Sequence, residues 1–213
     1  MTTPFDPDLQ RCLDQLHAEA AKDADRWRAR TGTDDPSANI KGGGELVRLG
    51  DFFLAASPSQ GRLLYVLARA SRARRLVEFG ASYGVSSLYL AAAARDNGGR
   101  LFATEVHPQK CNALRQTFAR AGVADHVTLL EGDARETLLD IAAPVEMLHL
   151  DGWKSAYLPI FRLMRPRMPA GALILADNCL HEAAQDYLRE VQAPDCDCLT
   201  EIRDGLAISV VLA

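Results

Sequence analysis

The sequence predicts an open α/β fold, a seven-stranded and mostly parallel sheet with helices on both faces and a C-terminal antiparallel hairpin. Three observations carry this expectation. Five short aliphatic segments alternate with helical patterns, the order that a parallel sheet with crossover helices requires. The last two extended segments are separated only by Asp204-Gly205, a hairpin signal. Apolar residues make up 48% and charged residues 24% of the 213 residues, a globular mix with enough apolar surface for one core. Residues 57–213 are expected to hold the main domain, preceded over 1–56 by a helix and a lid or hinge.

In chain order, Leu9, Leu13, Leu16, Ala20 and Trp27 recur at helical spacing among charges, which predicts an amphipathic helix over Leu9 to Arg30. Residues Thr31 to Gly44 collect Gly, Asp, Pro and Ser and read as a flexible connection. The triple glycine there is not followed by the GK[ST] of a phosphate loop. Strands are expected at Arg75 to Phe79, Arg100 to Thr104, His126 to Leu130, Val145 to Leu150 and Ala172 to Ala176, each followed by a helix. The last crossover helix falls near His181 to Val191, and two further strands at Cys196 to Ile202 and Leu206 to Leu212 close the sheet.

Composition bears on location. The longest apolar runs, such as Leu88 to Ala94, fall far short of the roughly 18 to 20 residues that span a bilayer. The N-terminus carries acids and two prolines where a signal peptide has a basic end and an apolar stretch. Five cysteines, at 12, 111, 179, 196 and 198, lack the spacing of a disulfide framework. A cytoplasmic protein with free thiols and no membrane segment is expected.

The first strand runs into Gly80-Ala81-Ser82-Tyr83-Gly84-Val85-Ser86-Ser87 and then a helix. In an open α/β sheet, ligands sit at the carboxyl ends of strands, where glycines admit the backbone and helix amides face negative charge. Three residues separate Gly80 from Gly84, so the GxGxxG of nicotinamide and flavin enzymes is not met. Glu105 closes the second strand, 25 positions after Gly80, where a carboxylate suits both hydroxyls of a ribose. Asp133 follows the third strand and suits an adenine amino group; both acids equally suit the caps of the next helices.

With these residues in place, the chain resembles the class I S-adenosylmethionine-dependent methyltransferases, which have a Rossmann-like fold. Within them it is similar to the metal-dependent catechol and caffeoyl-CoA O-methyltransferase family, from about Ser57 to the C-terminus, as SPSQGRLLYVLARASRARRLVEFGASYGVSSLYLA shows. The resemblance implies that Glu78 and Ser86 hold the methionine end of the donor, Glu105 the ribose and Asp133 the adenine side. Gly80, Ser82, Gly84, Ala134 and Asp151 complete the implied donor site.

Asp151 closes the fourth strand and the pair Asp177-Asn178 the fifth. Two carboxylates and an amide form an oxygen-only donor set that suits Mg²⁺ or Mn²⁺ and does not select zinc, although Asp151 and Asp177 also suit helix capping. The family implies a metal site of this composition, and LDGWKSAYLP keeps its Asp, its Lys three residues later and its Tyr-Leu-Pro. Gly152 stands where the catechol enzyme has histidine, and the stretch from Asn178 to Asp204 looks shorter. Trp153 and Tyr157 suit either an acceptor pocket or core packing, and His181 either a second base or a cap. Cys179, His181, Cys196 and Cys198 match no common zinc spacing.

Arg62, Arg69, Arg72, Arg74 and Arg75, with Arg162, Arg165 and Arg167, read as solvated faces or as a dock for an acidic acceptor such as a coenzyme A ester or RNA. The net charge of −4 weighs against nucleic acid. The expected activity is methyl transfer from S-adenosylmethionine to a hydroxyl of a small catechol-like aromatic, with a divalent metal and with Lys154 and Asp151 as catalytic residues. The alternatives are a metal-independent methyltransferase acting on another small molecule or RNA, and a non-catalytic donor sensor. Relatives with such an N-terminal helix suggest a homodimer.

Overall fold

The structure is a computed structural model that describes residues 5–31 and 49–212. Helix α1 spans Pro7–Ala20, and α2 spans Asp23–Thr31. One long helix had been expected; instead the Lys22 amide bonds Glu19 O while that of Ala21 bonds His17 O, which tightens and ends the first helix. The flexible connection expected over Thr31 to Gly44 lies, from residue 32 on, outside the described residues.

The main fold follows as α3 (Pro58–Ala70), β1 (Arg75–Phe79), α4 (Val85–Asp96), β2 (Arg100–Glu105), α5 (Pro108–Arg120), β3 (Val127–Glu131), α6 (Ala134–Thr137), β4 (Met147–Leu150), α7 (Tyr157–Met164), β5 (Leu173–Ala176), α8 (Gln185–Val191), β6 (Cys198–Arg203) and β7 (Leu206–Val211). The sheet has the order β3-β2-β1-β4-β5-β7-β6. Pairs among β1 to β5 are parallel, and β7 pairs antiparallel with both β5 and β6. The predicted fold class is therefore the observed one. Strand limits move by one or two residues at most places. The helix after β3, α6, is a single turn of four residues. The last helix starts as a 3₁₀ turn at Glu182–Ala184 before α8.

Strand alternation divides the core. Leu76, Ala103, Met147 and Leu175 face one side, packed with α1 and α4, whereas Val77, Leu148 and Ile174 face the other, with residues of α7 and α8. Helix α4 is buried from Val85 to Ala94. Gly61 of α3 lets the two helices approach, since a Cβ there would lie 2.1 Å from the Tyr89 ring. Residues Phe5, Leu9, Leu13 and Leu16 join the same cluster. Among the described residues no helix is long and apolar enough to cross a membrane.

Chain order reverses at β1, whose neighbours are β2 and β4, so a crevice opens at their carboxyl ends. Register makes these ends level. Phe79 pairs with Leu150 and Leu150 with Ala176, while the amide of Asp151 bonds Phe79 O and that of Asp177 bonds Leu150 O, both at 2.9 Å.

Candidate active site

The turn after β1 needs glycine at its first position. Gly80 has φ +95°, and a Cβ on it would lie 2.5 Å from Gly152 Cα on the β4 side. Gly84, also at φ +95°, stands at the N-cap of α4 without a side-chain cap, so the first amides of that helix are left to the crevice. Ser82 has φ +50°, and its amide bonds Glu105 Oε2 at 2.8 Å.

Glu105 is 9% exposed, and its Oε1 accepts the amides of Val106 and His107 at 2.8 Å each. The carboxylate is thus fixed beside the glycine turn by three backbone donors. Lys110 of α5, also buried, donates to Ser82 Oγ at 2.9 Å, and Ser82 Oγ donates to Phe53 O at 2.7 Å. Burial lowers the Lys110 pKa, against the pull of Glu105, Asp23 and Asp51. Phe53 stacks on Tyr83 with centroids 4.3 Å apart, which fixes the segment before α3 to the glycine turn.

Asp133 takes the capping role that the sequence left open. It is the N-cap of α6, accepts the Arg135 amide at 2.9 Å and pairs with the Arg135 guanidinium, which holds its carboxyl below the usual range. The next residue, Ala134, is buried.

Glu78 is fully buried. Ser87 donates to its Oε2, and His149 Nδ1 lies 3.4 Å from its Oε1. Its carboxylate is therefore engaged by α4 and β4, and Ser86, in the first turn of α4, is also buried. The sequence reading missed His149, although a histidine inside the apolar strand MLHL was a readable signal that a partner waits in the core.

At the ends of β4 and β5, the Asp151 side chain is 11% exposed and lies 3.5 Å from Lys154 Nζ. Burial raises its pKa to about 6; Lys154 and His149 oppose the rise, and Asp177 and Glu78 add to it. Lys154 donates to the Tyr157 hydroxyl at 2.7 Å, and that hydroxyl donates to the Asp177 carbonyl at 2.9 Å. Tyr157 is fully buried, so it packs in the core and braces Lys154 and does not line an open pocket. Asp177 Oδ2 accepts Asn178 Nδ2 at 2.7 Å, and its Oδ1 accepts Gln60 Nε2 at 3.3 Å. Trp153 packs against Trp27, Leu49 and Phe52 from the N-terminal segment.

Among the described residues no three of His, Cys, Asp and Glu converge as a metal cluster. The candidate set has instead two acids and the amide of Asn178. Its chemistry suits a hard dication, because two neighbouring carboxylates, one largely buried, form an oxygen-only set whose crowded negative charge such an ion would neutralise.

His181 caps the 3₁₀ turn through Nδ1, which accepts the Ala183 amide at 3.1 Å. The five cysteines are free thiols. Much of the basic stretch serves its own chain: Arg69 bonds Asn97, Arg75 bonds the carbonyls of Ala142 to Pro144, Arg162 pairs with Glu190, and Arg167 bonds Leu139 O.

Residues 77–179 match a family described as a methyltransferase domain. The chain is 32% identical over 137 residues to a catechol O-methyltransferase of Niastella koreensis, covering 61% of this chain and 60% of that protein. It is 36% identical over 132 residues to a catechol O-methyltransferase of Mycobacterium tuberculosis, covering 60% and 58%. The chain thus spans about three fifths of the length of these curated relatives. Among solved structures, cofactor-bound Rv0187 from MTB superposes with a TM-score of 0.67 at 27% identity, covering 91% of this chain and 97% of that one. The O-methyltransferase TomG from Streptomyces achromogenes, in complex with SAM, gives 0.68 at 25% identity, covering 89% and 99%. Taken with the glycine turn and Glu105 at adjoining strand ends, these findings make residues 77–179 similar to a methyltransferase domain and the chain similar to S-adenosylmethionine-binding O-methyltransferases.

Proposed function

We propose that the chain transfers a methyl group from S-adenosylmethionine to a hydroxyl of a small catechol-like aromatic, with a divalent cation at the ends of β4 and β5. The observation that carries this reading is the level alignment of strand ends, which brings Gly80, Asp151 and Asp177 to one crevice. The donor supplies an electrophilic methyl on sulfur, and a bound dication lowers the pKa of an acceptor hydroxyl.

The chain's own residues do the rest. Glu105, already fixed by three amides, accepts the ribose hydroxyls with its remaining lone pairs. Gly80, Ser82 and Gly84 admit the donor to the turn, Glu78 and Ser86 serve its methionine end, and Asp133 with Ala134 bounds its adenine side. Asp151, Asp177 and Asn178 would hold the ion. Lys154, braced by Tyr157 and beside Asp151, takes the hydroxyl proton. Trp153 and its aromatic neighbours exclude water from the acceptor side. Oxygen and methyl carbon are thereby held in near-attack geometry.

The deciding experiment is labelled methyl transfer to a catechol panel and to total tRNA, with and without chelator. Transfer to a catechol that stops in chelator and returns with Mg²⁺ or Mn²⁺ supports the proposal; transfer to tRNA, or to a catechol in excess chelator, refutes it.

A further inference from the structure

We infer that Gln60 is a positioning residue for Asp177, an inference that rests on the proposed role of Asp177 at the acceptor end. Ser57 and Gln60 form a reciprocal capping box at the start of α3: Ser57 Oγ accepts the Gln60 amide at 3.2 Å, and the Ser57 amide bonds Gln60 Oε1 at 2.8 Å. This second bond fixes the plane of the Gln60 carboxamide. Its Nε2 is thereby turned toward the end of β5, where it donates to Asp177 Oδ1 at 3.3 Å across 117 positions of sequence.

Asp177 has two carboxylate oxygens to orient, and its neighbour Asn178 holds only Oδ2, at 2.7 Å. Gln60 holds the other. A glutamate would satisfy the same capping box, but it has no N–H to offer and would set a second carboxylate against Asp177. The amide therefore does two things at once, ending α3 with its oxygen and steering a carboxylate at the acceptor end with its nitrogen. Because α3 directly follows the segment pinned to the donor turn through Phe53, Gln60 joins that segment to the ends of β4 and β5.

Ser57→Ala and Gln60→Met each remove half of the capping box, and only the second removes the contact to Asp177, without changing charge. Both variants should lower Tm by about 2 to 4 °C. Gln60→Met alone should weaken Mn²⁺ binding, read by calorimetric titration, by roughly threefold to tenfold, about the worth of one hydrogen bond, and should lower kcat for a catechol. Affinity for S-adenosylhomocysteine should stay at the parent value in both. If Gln60→Met matches Ser57→Ala in Mn²⁺ affinity and kcat, Gln60 is only a cap and the inference fails. Asp177→Asn separates the two ideas: if it leaves Mn²⁺ binding and turnover intact, the reading of Asp177 fails and the inference with it. If Asp177→Asn is impaired while Gln60→Met is not, the inference fails alone.

Discussion

Glu105 is held by the amides of Ser82, Val106 and His107, so its carboxylate is oriented before any ligand arrives. Glu105→Ala should weaken binding of S-adenosylhomocysteine roughly tenfold to a hundredfold, at about 1.5 to 3 kcal/mol for hydrogen bonds to a charged group. Calorimetric titration measures this, and an unchanged affinity removes Glu105 from the site. Lys154→Met keeps the length of the side chain and deletes its amine. Turnover should fall by about a hundredfold to ten-thousandfold, the usual worth of a general base. Part of the deficit should return in alkaline buffer, where the acceptor hydroxyl ionises unaided. A single-turnover rate within about threefold of the parent at neutral pH, well below that range, would make Lys154 structural. At this scale the sequence was legible in the placing of acids at strand ends, as at Glu105, Asp151 and Asp177. It was silent where a contact spans the fold, since nothing local couples Gln60 to Asp177 or Glu78 to His149, 117 and 71 positions apart.

Among the elements, the strands were readable because a strand buried on both faces is a near-continuous aliphatic run, as in LILA of β5 and MLHL of β4. Helix breaks were less so, because the tightening at Ala21 and Lys22 depends on hydrogen bonds that neither glycine nor proline announces. Helix α1 offers an element-level test. Asp6 caps it by accepting the Leu9 amide at 2.9 Å and ties it to α4 through Arg95 at 2.7 Å. Burial pushes the Asp6 carboxyl up, but the Leu9 amide and the Arg95 guanidinium outweigh it, and the net shift is downward. A carboxyl lowered by folding contributes stability above its unfolded value, about 3.9, and loses it as pH falls through the folded value. Asp6→Asn retains the cap and loses the charge, so its Tm should lie below the parent's at pH 7. The gap should close in acid, below about pH 4. A gap that stays constant across a calorimetric pH series would assign the effect to packing.

For the whole molecule, the crevice proposed for the donor joins parts made far apart in sequence: the turn after β1, Glu105 of β2 and the segment before α3 that is stacked on Tyr83. A ligand seated there binds only the assembled fold, so S-adenosylhomocysteine at a hundred times its Kd should stabilise the protein by about 2.7 kcal/mol. In a domain of this size that raises Tm by roughly 5 to 10 °C. Differential scanning calorimetry with and without chelator checks this, and the rise should be the same in both, because the ion is proposed to meet the acceptor. A chelator-sensitive rise would move the ion to the donor side. The sheet order has a further consequence, for synthesis. Strand β7 follows β6 in the chain yet lies between β6 and β5. While the chain is still emerging from the ribosome, β5 therefore remains an open edge until Leu206–Val211 has cleared the exit tunnel, and β6 has nothing to pair with. Nascent chains stopped short of Leu206 should carry that unpaired edge as a sticky, chaperone-bound surface.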